Sequence, residues 1–61
     1  MEKVLFQPMK NKIYRMKEKE GRIVVEFGYV GSRMYTKFFP TTSWNELYRE
    51  KISNGYVDQT S

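Results

Sequence analysis

The segment Phe27-Gly28-Tyr29-Val30-Gly31-Ser32-Arg33 sets two aromatic rings and a guanidinium beside a pair of glycines three residues apart. Rings of this kind stack on bases or sugars, cations meet phosphates, and glycines let another backbone or a ligand come close. Turn geometry alone would also require both glycines. Basic and aromatic residues interleave on either side of the segment: Lys10, Lys12, Tyr14 and Arg15 before it, Arg22 at its approach, Tyr35 and Lys37 after it. Nucleic-acid binding uses such mixing, and any small sheet with a solvated face also displays it.

The chemistry that is missing narrows the choice. The 61 residues include no cysteine and no histidine, which excludes disulfides, thiol chemistry, zinc sites of the Cys/His type and the usual general base. Glu46 and Glu50 stand at i, i+4, the one carboxylate pair with enzyme-like spacing, but they fall opposite the apolar stripe of their helix, where solvation accounts for them. There is no Gly-rich phosphate loop opening a helix, no nucleophile constellation and no dense cluster of metal ligands. The expectation is a binding protein with no catalytic residue, metal or cofactor. Eleven Lys and Arg against seven Asp and Glu give a formal charge of +4, which attracts phosphates without requiring them and also serves solubility.

These residues need a scaffold. So short a chain has room for one domain, and its 16% aromatic content supplies large apolar area to a small core. Val4 to Phe6 predicts a short edge strand, ended by Pro8, which has no donor for a central ladder. Lys12 to Lys17 predicts a strand with one wet face, and Glu18-Lys19-Glu20-Gly21 a hairpin loop in which Gly21 takes a positive φ. Arg22 to Phe27 alternates, with Ile23, Val25 and Phe27 on the core side. The glycine segment then reverses the chain into a return strand from Met34 to Phe39, closed by Pro40. Ser43 and Glu46 have the spacing of a capping box, so a helix begins at Trp44 and stops at Asn54-Gly55. Trp44, Leu47, Tyr48 and Ile52 form its stripe, and Trp44 is the expected anchor of the core. The predicted fold is α+β, a small antiparallel sheet of four to five strands with one C-terminal helix on one face. Residues 1–3 and 58–61 are expected to be loose ends.

Lys51 breaks that stripe, since it falls between Trp44 and Leu47 on the helical wheel. One account lets its stem cover apolar surface while the ammonium reaches water at the helix's C-terminal end. The other directs Lys51 into a site beside the sheet.

Phe27-Gly28-Tyr29-Val30-Gly31 resembles the Trp-Gly-Arg-Val-Gly signature of the WGR domain, a module of poly(ADP-ribose) polymerases and of many bacterial proteins. Lys12-Ile13-Tyr14-Arg15-Met16 is similar to the strand before that signature, and the segment from Leu47 to Tyr56 is similar to the family's helix end. The resemblance runs from about Lys10 to Val57. It implies a small antiparallel sheet with one packed helix that binds DNA near a strand end, with the signature Trp and Arg in contact, while ADP-ribose transfer belongs to a separate domain. Here Phe27 stands at the Trp position and Tyr29 at the Arg position, so the ring is kept and the cation is lost. Arg33, in the same loop, is the candidate to replace it.

The expected nucleic-acid site is therefore Phe27, Gly28, Tyr29, Arg33, Lys37 and Lys51, with DNA favoured over RNA. The alternative is a protein-interaction module that kept the scaffold and lost the DNA contacts, working through Tyr29, Tyr35 and Phe39. The helix is shorter than the resemblance implies, which leaves a monomer or a homodimer open. The only apolar run near the N-terminus, Val4-Leu5-Phe6, is far too short for a signal-peptide core or a membrane span, and the expected location is cytoplasmic.

Overall fold

The computed structural model describes residues 1–60. Five strands and one helix follow the chain in the order β1 (Glu2–Gln7), β2 (Lys12–Lys19), β3 (Arg22–Tyr29), β4 (Tyr35–Pro40), α1 (Trp44–Ser53) and β5 (Val57–Asp58). The sheet is antiparallel throughout, with spatial order β4-β3-β2-β1-β5. The expected α+β meander with one C-terminal helix is the fold. No helix among the described residues is long and apolar enough to cross a membrane.

The central hairpin is tighter than the sequence suggests. β2 continues to Lys19, and the loop is only Glu20-Gly21, with φ of +53° and +78°. Two residues of positive φ match the right-handed twist of the flanking strands, and glycine takes the second of them without a Cβ penalty.

Ladder pairing and burial together fix which side chains share a face. Val25 lies opposite Met16, and Leu5 lies opposite Tyr14. Leu5, Met16, Ile23 and Val25 are completely buried and Tyr14 nearly so, while Trp44, Leu47 and Tyr48 of α1 pack against this cluster from above. The helix covers one end of one sheet face, because ten residues at about 1.5 Å rise span only about 15 Å.

Four sequence expectations are corrected. β1 is not an edge: it pairs with β2 over six residues and with β5 on its other side, because Leu5 needs cover on both flanks. The ends are not loose. Glu2 and Lys3 belong to β1 and Asp58 to β5, the Thr60 hydroxyl accepts from the Val4 amide at 2.8 Å, and the Gln59 amide donates to the Val4 carbonyl at 2.8 Å; Ser61 lies outside the described residues. The capping box does not form. A 3-10 turn over Thr41–Ser43 feeds directly into α1, so Ser43 sits at φ −86°, ψ 0° rather than in the extended geometry a capping side chain needs, and it makes no cap bond. The stripe is also rotated. Ile52 is 40% exposed, and the face toward the sheet runs Trp44, Leu47, Tyr48, Lys51, the i, i+3, i+4, i+7 series with lysine at its last place. Trp44 itself is only half-buried, outside the fully buried set.

Candidate nucleic-acid interface

Beyond the end of α1 the same sheet face stays open. The ladder sets Lys12 opposite Tyr29, Tyr14 opposite Phe27, and Phe27 opposite Tyr35. Directly paired residues point to one side, so these chains collect on the face that the helix leaves uncovered. They line a cleft of about 490 Å³, closed at its rim by Ser32 and Arg33 from the β3–β4 loop, by Lys51 from α1 and by Tyr56.

Gly28 makes the loop's approach possible. A Cβ there would stand 2.9 Å from the Arg33 carbonyl oxygen and 3.3 Å from Met34 Sδ, inside contact distance. Without that side chain the β3–β4 loop folds back over the end of β3 and brings Arg33 to the cleft beside Tyr29. The Val30 amide donates to the Asn11 carbonyl at 2.9 Å, tying the loop to the start of β2.

The rings form a chain. Tyr14 and Phe27 have centroids 6.2 Å apart, Phe27 and Tyr35 6.0 Å, and Tyr14 and Tyr56 6.2 Å in an edge-to-face arrangement. Such offsets suit the ring quadrupoles. Lysines lie across it: Lys51 Nζ is 4.7 Å from the Tyr14 centroid, Lys12 Nζ 5.0 Å from Tyr29 and Lys37 Nζ 5.6 Å from Phe27. Burial, then the nearby Glu50 carboxylate, pushes the Tyr14 hydroxyl up to about 12. It therefore remains a neutral phenol at physiological pH.

No carboxylate of the described residues lines this cleft. Among the described residues the ion pairs are Lys3 with Asp58 and Arg15 with Glu26, so Lys12, Arg33, Lys37 and Lys51 are all free of one. A second cleft of about 380 Å³ adjoins the first through Lys12, Lys51 and Tyr56, and adds Lys10, Gln7 and Asn54. Gln7, nearly buried, donates from Nε2 to the Asn54 carbonyl and accepts the Met9 amide at 2.7 Å, fixing the β1–β2 turn against the helix end. Cations and rings thus follow one continuous path across the face.

Five of the six residues singled out from the sequence, Phe27, Gly28, Tyr29, Arg33 and Lys51, line the larger cleft. Lys37 lies next to it, over Phe27, in a smaller cleft of about 280 Å³ shared with Glu50 and Lys51. Lys12, Tyr14, Tyr35 and Tyr56 were not among the six. For the first three the available signal was period-two spacing, which separates Lys12 and Tyr14 from Ile13 and Arg15. Arg15 and Arg22 lie elsewhere: Arg15 pairs with Glu26 at 3.6 Å on the opposite face, and Arg22 stacks over Phe38 at 4.5 Å. Phe39 is half-buried against the core, and it is Phe38, 55% exposed on the opposite face, that meets solvent.

Family models, characterised proteins and solved structures give no match to this chain.

Proposed function

We propose that this chain is a non-catalytic nucleic-acid-binding module of the WGR type, which takes DNA at the aromatic cleft. The observation that carries the reading is the convergence of Lys12, Arg33 and Lys51 on a floor of five rings, with no carboxylate of the described residues in the lining. Cations attract phosphates over distance and rings give bases or sugars a surface to stack on, so the two kinds of group work on one ligand. The likeness of Phe27 to Gly31 and of Leu47 to Tyr56 to the WGR pattern supports the same reading. The cation missing at Tyr29 has two neighbours to replace it, since Lys12 rests on the Tyr29 ring and Arg33 lines the same cleft.

Fluorescence anisotropy with labelled DNA across a salt series tests this. Affinity should fall steeply with salt, and Arg33→Ala or Lys37→Ala should flatten the log–log slope by about one unit for a lost phosphate contact. Tyr29→Ala should cost about 1–3 kcal/mol with the slope unchanged, and Tyr29→Arg should strengthen binding. Failure of both the wild type and Tyr29→Arg to bind DNA or RNA at low salt would remove the proposal. The second reading, a protein-interaction module, would then stand, favoured by Phe38 and Val57, 55% and 50% exposed on the face opposite the cleft.

A further inference from the structure

The rings of the cleft differ in what already covers them. Lys12 rests on Tyr29, Lys37 on Phe27, and Lys51 on both Tyr14 and Tyr56. Tyr35 carries no cation among the described residues and is 59% exposed. Phe27 backs it at 6.0 Å with the rings inclined by 36°. On each of the other rings a base that stacks on the face beneath the lysine must first displace an ammonium held there by the ring's quadrupole. On Tyr35 it displaces only water.

We infer that Tyr35 is the platform on which an unpaired DNA base stacks, with Arg33 and the neighbouring lysines receiving the flanking phosphates; this rests on the nucleic-acid reading above. A base inside a duplex has both faces covered by its neighbours, so only an unpaired or terminal base can offer one to a tyrosine. The position in the fold suits a single strand. β4 is the outermost strand, so beyond it no further strand blocks nucleotides that leave the stacked base on its outer side. The cleft, at about 490 Å³, also falls in the range of about 300–1,000 Å³ typical of sites for one small molecule, the scale of a single nucleotide. The preferred ligand is therefore a single strand or a single-stranded overhang over a blunt duplex, which offers only the outer faces of its terminal base pairs.

Anisotropy titrations with labelled oligothymidylate, a blunt duplex and the same duplex carrying a short overhang test the assignment. Oligothymidylate and the overhang should bind more tightly than the blunt duplex. Tyr35→Leu should weaken oligothymidylate binding by about 5- to 150-fold, the loss of one stacked base, with the salt slope unchanged, and Tyr35→Phe should restore it. Thermal melts should show both variants folded. An overhang of abasic sugars, which keeps the phosphates and removes the bases, should bind the wild type more weakly than the normal overhang, and this result does not depend on any variant folding. If Tyr35→Leu binds oligothymidylate like the wild type, or the abasic overhang binds like the normal one, the stacking assignment is wrong while the DNA reading stands. If the wild type binds none of the probes at low salt, both fall together.

Discussion

Lys51 is where a single residue's chemistry was most legible before the fold was known. A lysine inside an apolar stripe is a misfit, and the misfit marked a position that faces the sheet; the structure ends it at 4.7 Å from Tyr14 and 5.7 Å from Tyr56. What the sequence concealed was the stripe's rotation, because apolar character ranks Ile52 above Lys51 although helical spacing favours Lys51, and only the sheet beneath decides. Lys51→Met keeps the stem and removes the charge. The lost contact with the rings is worth about 0.5–1 kcal/mol at a partly exposed site, and sulfur against an aromatic ring returns about 0.3–1.5 kcal/mol. The variant should therefore melt within a few degrees of the wild type. Its DNA affinity should fall and its salt slope should flatten by about one unit, the mark of a missing phosphate contact. An intact fold with unchanged affinity would take Lys51 out of the site.

At the scale of elements, the strands with alternating burial were readable and the C-terminal tail was not. Ile23, Val25 and Phe27 announce a strand by period two, whereas Val57-Asp58-Gln59-Thr60 has no pattern, and what holds it is hydrogen bonding. The Asp58 carboxylate accepts the Thr60 amide at 2.9 Å and the Tyr48 hydroxyl at 2.9 Å, and Lys3 Nζ lies 3.3 Å away. Hydrogen bonds from Thr60 first, then from Tyr48, hold this carboxyl well below the usual carboxylate range. A group whose folded pKa is depressed contributes its stability above the unfolded value of 3.8 and loses it as pH falls through that value and beyond. Asp58→Asn should thus be less stable than the wild type at neutral pH, and the two should converge in acid. Circular-dichroism melts from about pH 7 to about pH 2 measure the gap, and parallel curves would show that Asp58 does not anchor β5 to β1 and α1.

Taken whole, the molecule is a single sheet covered at one end of one face, and that incomplete cover explains both the site and the stability. The strand order from β4 to β1 could be read from the sequence because each link is a local hairpin. The choice of uncovered end could not, since it depends on register between strands and on where a ten-residue helix stops. The same geometry moves the centre of stability. Trp44, the anchor expected from the helical stripe, is only half-buried, while Met16 is fully enclosed among Leu5, Ile23 and Val25 with α1 above. Truncating a buried Met to Ala costs about 2–5 kcal/mol, against a total of about 3–9 kcal/mol for a domain of this length at typical stability per residue. Met16→Ala should be largely unfolded or melt with a sharply lowered urea midpoint. Trp44→Ala should retain a cooperative transition, with a loss below the roughly 3–5 kcal/mol of a fully buried aromatic, because the residue is only partly buried. Urea midpoints of the two variants decide the matter: if Trp44→Ala is the more damaging, the contact between helix and sheet dominates stability and the sheet's own buried layer does not.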